Sequence, residues 1–451
     1  MISYPYREKE LDELQKQLWL SQNDGSRMSI VYGRHSMGKS ALVRAALAGP
    51  QPMVYLSLGG KNDALALEEY KREAARQLGI FVPYSIGSLE ELVNFLFDEA
   101  WKRPFSLVLD NFQEVSKRYP TLAGHLAKKW RSGSKRNNLN LVLICGDLQA
   151  AEALFFSPSA PLKNLAGVAL QIQPLGIELL KEIQKEASAT PLTPEDYLAF
   201  YLFTGGRPEA VRCALALGAV TKDTLIEAFM KEDSPLVSLC EKTLYSLLGK
   251  NSDTYLSILQ LVATGTRSQA EMELALGGII IGGHLAKLEN EYQMLKKVRP
   301  ILCTPESRGV VRYCIQDPSV AVLMRLLYAD GGVKDEKEAA SVLDKFLKED
   351  LKDYLIEKFS QSGYFTSVGS EWAASARISK KKGKVREAES REEGEGIDIV
   401  ALKGKRAMVA AVFPKAEDFN KDAFFKQVDA LKTGLLRDYS IDARLFTVKD
   451  L

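Results

Sequence analysis

The run Gly33-Arg34-His35-Ser36-Met37-Gly38-Lys39-Ser40 constrains this chain more than any other stretch. It follows the aliphatic segment RMSIVY (Arg27 to Tyr32) and precedes the helix-like ALVRAALA, so a glycine-rich loop joins a buried strand to a helix. Two glycines at this spacing let the backbone curl until its N–H groups converge, and the helix start at Ala41 adds its own. Such a cradle suits phosphate oxygens. Lys39 has the length and charge to reach terminal phosphates, and the Ser40 hydroxyl is a hard oxygen ligand for Mg2+. Gly33, Arg34, Gly38, Lys39, Ser40 and Ala41 are the candidate phosphate-binding residues.

Further aliphatic runs follow: MVYLSL (Met53 to Leu58), FSLVLD (Phe105 to Asp110), LNLVLICG (Leu139 to Gly146) and VALQIQPL (Val168 to Leu175). Helical patterns lie between them, as at Ala64 to Leu78 and Leu89 to Trp101. Near-continuous apolarity alternating with helices predicts a parallel α/β sheet buried on both faces. Asp110, closing one run, is the candidate second metal-positioning residue. Hydrolytic P-loop proteins usually carry a carboxylate next, whereas this chain has Asn111, which orients a water but cannot accept its proton. Glu114 is the candidate substitute base.

In sequence order, Tyr4-Pro-Tyr-Arg7-Glu-Lys-Glu10-Leu11, VYGRHSMGKSALV, LVLDNFQEV, LVLICGD and FTGGRPEAV resemble the archaeal-type P-loop ATPases, a branch related to AAA+ and to the signal-transduction ATPases with numerous domains. The resemblance implies ATP with Mg2+, adenine near Arg7 and Glu10, and a helical lid whose Gly205-Gly206-Arg207-Pro208 approaches the nucleotide. Arg34 and Arg207 are then candidates for γ-phosphate charge. Three departures are Tyr6 for the family's Gly, Asn111 for its Glu, and Asp147 for a small polar sensor. Asp147 near Asp110 either strengthens metal binding or abolishes sensing.

Four domains are expected: an ATPase core at 1–175, a helical lid at 176–250, a winged helix at 251–330 and an α/β domain at 331–451. Residues 177–248 show three-and-four apolar spacing broken at Pro191, Pro194, Gly205-Gly206 and Gly218. Three helix candidates and two strand candidates, LKKVRPILCTP and RGVVRYCIQDP, make the winged helix. Its recognition stretch, Ile280 to Asn290, offers only His284 and Lys287 against Glu289. The wing offers Lys296, Lys297, Arg299 and Arg308 as candidate DNA-phosphate contacts.

The last part, with a helix, three strands, a helix and a strand, resembles the PD-(D/E)XK nuclease-like fold. Asp398 matches the first metal ligand there, but Ala410-Ala-Val-Phe-Pro414-Lys415 supplies a lysine without its glutamate. Glu357 and Glu395 are poorly placed substitutes, so the nuclease centre is read as incomplete, and the domain as a possible site for a protein partner. The mixed-charge stretch Lys380 to Gly396 reads as an exposed loop.

Composition limits the function classes. Lys plus Arg number 60 against 58 Asp plus Glu, a net charge of +2, so a basic surface can only be local. Five scattered cysteines without a C-x-x-C pair and three histidines argue against a disulfide framework or a His-based metal centre. The charged N-terminus and the absence of a long apolar run predict a cytoplasmic protein without a membrane segment. The sequence thus predicts a Mg-ATP-binding regulatory ATPase with slow or lost hydrolysis. The alternatives are a DNA-associated effector of nuclease descent and a protein-interaction switch that holds ATP structurally.

Overall fold

A computed structural model describes residues 7–60, 62–133, 137–248, 252–302, 311–328, 331–371 and 396–451. Tyr6, Cys303, Arg308, Glu395 and nearly all of the mixed-charge loop lie outside them. The chain forms two compact units that divide between Pro174 and Leu175.

The first unit is built on five parallel strands: β1 (Arg27–Tyr32), β2 (Met53–Ser57), β3 (Phe105–Asp110), β4 (Leu139–Cys145) and β5 (Val168–Gln171), in the order β2-β3-β4-β1-β5. The aliphatic runs are continuous because both faces are covered. Val31, Val108, Val142 and Ile144 face a cluster that includes Leu14, Leu42 and Val43 from helices Glu8–Asn23 and Lys39–Ala46. Their neighbours Ile30, Leu107, Leu109, Leu141 and Leu143 face a second cluster. That cluster draws Tyr70 and Ala74 from helix Asp63–Leu78, Leu92 and Leu96 from Leu89–Glu99, and Leu126 and Trp130 from Leu122–Gly133. The runs at β1 to β4 thus each feed two cores by the period-two alternation of a strand, whereas the β5 run gives Leu170 and Ile172 to the first cluster alone.

β5 stops at Gln171, short of the predicted Leu175. The Ile172 N–H still bonds the Tyr32 carbonyl at 2.7 Å, but β1 then turns into the glycine loop and leaves no partner.

The second unit begins with five helices, Ile177–Ala187, Pro194–Thr204, Pro208–Ala216, Lys222–Met230 and Pro235–Leu248. Helices Asp253–Ala263, Gln269–Ala275 and Gly282–Ala286 follow, the last continuing as a wider turn to Glu291. An antiparallel pair, β6 (Leu295–Val298) and β7 (Arg312–Ile315), comes next. The single long helix predicted before the C-terminal sheet is two, Glu336–Lys345 and Leu347–Gln361, broken at Phe346. Beside the break, the Arg325 guanidinium lies 4.3 Å from the Phe346 ring and bonds both oxygens of buried Asp350. The last sheet has the order β11-β10-β9-β8, from β8 (Ser367–Ser370), β9 (Ile399–Lys403), β10 (Arg406–Val412) and β11 (Ser440–Phe446). β10 and β11 are parallel, joined by helix Lys421–Thr433, whose Phe424 and Val428 pack on Val409 and Ala411. No described helix is long and apolar enough to cross a membrane.

Candidate phosphate-binding site

The loop between β1 and helix Lys39–Ala46 is shaped by residues that tolerate positive φ. Gly33 sits at φ 145°, and a Cβ there would lie 2.4 Å from the Ile172 carbonyl oxygen. Only glycine fits so close a backbone approach. Gly38, at φ 80°, starts the helix, and Ser36 takes φ 61° between them. The first turn of the helix, including exposed Ala41, therefore leaves its N–H groups at the concave side of the loop.

Lys39 is folded back into this loop. Its Nζ donates to the carbonyls of Gly33 (2.9 Å) and Arg34 (2.5 Å), and the residue is only 7% exposed. Burial pulls its pKa down to about 8, while Cys145 and Asp110 act the other way. The same burial pushes the Cys145 thiol up to about 12.

Ser40 and Asp110 meet. Ser40 Oγ donates to Asp110 Oδ2 at 2.8 Å, and the Asn111 N–H donates to Asp110 Oδ1 at 2.8 Å. Tyr55, unremarked in the sequence, also donates its hydroxyl to Asp110 Oδ2. The register Tyr55↔Val108 puts it on the strand beside β3, and the Arg44 guanidinium covers its ring at 3.5 Å. Burial, then the Asp110 charge, raises the Tyr55 pKa, so the phenol stays a donor. A hydroxyl and a carboxylate are the oxygen donors Mg2+ prefers, and a metal that keeps most of its waters needs no larger protein cage. The residues fit that ion.

The neighbouring candidates have separate attachments. Asn111 is left-handed at φ 57° and its Nδ2 donates to Ser57 Oγ at 3.2 Å. Glu114 is half-buried, with its Cγ 3.1 Å from where a Cβ on Gly59 would lie. Asp147 caps helix Leu148–Ala151, accepting from the Gln149 and Ala150 N–H groups at 2.8 and 3.0 Å. Its carboxylate is thus engaged in local structure, which the sequence left open. Arg7 pairs with Glu10 at 3.3 Å and donates to the Gln173 carbonyl at 2.5 Å, tying the first helix to the chain beyond β5. Arg34 is half-buried.

Arg207 and Pro208 begin helix Pro208–Ala216 in the second unit. Arg207 is 2% exposed and pairs with Asp317 at 3.2 Å, with hydrogen bonds to Thr243 Oγ1 (2.9 Å), Ser319 Oγ (3.0 Å) and Cys240 Sγ (3.1 Å). Gly205 makes room for this pair, since a Cβ there would meet Asp317 Oδ1 at 2.2 Å. The Gly205-Gly206-Arg207-Pro208 motif therefore has a structural role inside its own unit.

Lys296, Lys297 and Arg299 are exposed on or beside β6. His284 instead packs edge-on against the Tyr255 ring at 5.1 Å. In the C-terminal sheet, Asp398 accepts from the Val412 N–H at 2.8 Å and pairs with Lys348 Nζ at 3.6 Å. Glu357 bonds Gln361 on its own helix and Lys415 is exposed. Among the described residues, no three His, Cys, Asp or Glu side chains converge on a possible metal position.

No family model matches the chain. An uncharacterized protein of Methanocaldococcus jannaschii, MJECL04, is 22% identical over 439 residues, spanning 94% of this chain and 89% of its own length. Three similar solved structures are of archaeal proteins. The Walker-type ATPase PABY2304 of Pyrococcus abyssi has a TM-score of 0.49 at 19% identity, covering 71% of this chain and 95% of that one. The ORC2 protein of Aeropyrum pernix, solved in ADPNP–ADP complexes, has a TM-score of 0.47 at 14% identity, covering 77% and 95%. The ORC1 protein of the same organism, solved with DNA, has a TM-score of 0.37 at 17% identity, covering 76% and 92%.

Proposed function

We propose that the chain binds Mg-ATP and works as a regulatory ATPase of slow or lost turnover, its nucleotide state coupled to the parts beyond residue 175. The single observation that carries this is the loop with Lys39 Nζ on its own carbonyls and Ser40 on Asp110. Those carbonyls hold the ammonium charge where terminal phosphates would replace them, and Ser40 keeps an oxygen lone pair for Mg2+ while donating to Asp110. The ion supplies charge neutralisation across the β- and γ-phosphates. Adenine is assigned to the Arg7 and Glu10 side, on the resemblance alone. Asn111 orients water without taking its proton, which accounts for slow turnover. A role for Arg207 toward phosphate requires its release from Asp317. Extraction of the purified protein and chromatography of its nucleotides tests the reading. Bound ATP persisting for hours is expected; phosphate release at ordinary ATPase rates would refute slow turnover.

A second reading, contact with DNA through a winged helix, draws on exposed Lys296, Lys297 and Arg299. If all three meet phosphates, replacing them with alanine lowers the slope of log K against log salt by roughly 2.7. An unchanged slope removes the reading. The C-terminal sheet is proposed as inactive toward phosphodiesters and available to a protein partner, because Lys348 neutralises Asp398 where a second carboxylate and a metal are needed.

A further inference from the structure

Among the described residues, β2 is an edge strand paired with β3 alone. The Ser106 N–H bonds the Pro52 carbonyl and the Leu58 N–H bonds the Asp110 carbonyl. In a parallel ladder alternate residues address the same neighbour, so the backbone groups of Met53, Tyr55 and Ser57 face outward. The Tyr70 hydroxyl covers the Ser57 carbonyl at 2.7 Å. Along this edge runs a cleft of about 580 Å3, walled by Arg44, Tyr55, Ser57 and Gly60 on one side and by Tyr70, Arg72 and their helix on the other. Of the charged groups lining it, Glu73 already holds Arg76 through three bonds of 2.7, 3.0 and 3.2 Å, and Glu69 has a partner of its own. Arg44 and Arg72 are exposed and have no carboxylate partner among the described residues. Net positive charge therefore lines an edge open to strand addition.

We propose that this cleft receives an acidic, extended segment of a partner protein, which adds to β2 by main-chain hydrogen bonds and places its carboxylates on Arg44 and Arg72. The walls connect it to the phosphate site: Tyr55 reaches Asp110 through its hydroxyl, and Ser57 Oγ accepts from Asn111. An occupant that draws Arg44 from the Tyr55 ring alters the hold on Asp110. The binding site stands without the nucleotide reading; only this coupling rests on it.

The test is calorimetric titration of the full chain with tetraglutamate and with tetralysine, in saturating Mg-ATP and at matched ionic strength. ATP affinity is measured first on the same sample. Saturable binding of tetraglutamate, at least tenfold tighter than tetralysine and lost in Arg72→Glu and in Arg44→Glu/Arg72→Glu, is the expected result. Equal binding of the two peptides, no saturable binding of the acidic one, or its retention in folded variants overturns the proposal. Failure of peptide binding with intact ATP binding condemns the cleft, whereas failure of ATP binding with intact peptide binding condemns the nucleotide reading.

Discussion

Raising the pH through 8 is expected to weaken ATP binding, because Lys39 must be charged to hold terminal phosphates and burial has lowered its pKa to about 8 in the free loop. The bound triphosphate favours the charged form, so the pKa rises on binding and the complex takes up protons between the two values. Affinity is therefore complete below the free-state pKa and declines as the pH passes above it. At pH 9 only about a tenth of free Lys39 carries its proton, so the apparent Kd should be roughly tenfold weaker than at pH 7. Near pH 8 each ATP bound should take up about half a proton. Phosphate itself titrates with its midpoint at pH ~6, so little of its change remains above pH 8, and the Cys145 thiol, at about 12, titrates above the window. Calorimetry in two buffers of different ionisation enthalpy reads the affinity and proton count together. Constant affinity from pH 7 to 9.5, with no proton uptake, would refute the buried-lysine reasoning.

Three other perturbations have definite expectations. Asn111→Glu restores a proton acceptor beside Asp110 and should raise single-turnover phosphate release at least tenfold; no rise would place Asn111 away from the attacking water. Gly33→Ala forces a Cβ to within 2.4 Å of the Ile172 oxygen at φ 145° and should cost about 3 kcal/mol in urea unfolding, so an unshifted midpoint would contradict the geometry. Arg207→Met leaves Asp317 without its cation and should destabilise the second unit by about 3 kcal/mol or more, with partial recovery in Arg207→Met/Asp317→Asn; a double variant no more stable than the single would deny the pairing.

The sheet of the first unit was readable because strands buried on both faces have no polar side to interrupt the run: β1 and β3 lie where the apolar segments end, at Tyr32 and Asp110. The glycine-rich turn between β1 and the next helix was readable for the same local reason, its residues being consecutive. Long-range partners had no local signal. Tyr55 precedes Asp110 by 55 residues, and their meeting depends on β2 pairing with β3 in one register. Asp317 lies far from Arg207 in sequence, so nothing local showed that Gly205, read as part of a lid motif, also makes room for a buried ion pair. Lys348 on Asp398 and Asp350 on Arg325 are pairings of the same kind. Asp147 was read only as strengthening metal binding or abolishing sensing, and its cap on the next helix, through the Gln149 and Ala150 N–H groups, had no signal of its own in the sequence.

The most direct measurement is Mg-ATP titration of the wild-type chain against Lys39→Ala at pH 7. Among the described residues Lys39 Nζ donates to loop carbonyls alone, so its loss should leave the fold intact and remove a charge-assisted phosphate contact. Wild-type binding, weakened at least tenfold in the variant, is the predicted result. Equal affinity in both proteins, or no ATP binding by either, would contradict the assignment of this loop as the nucleotide site.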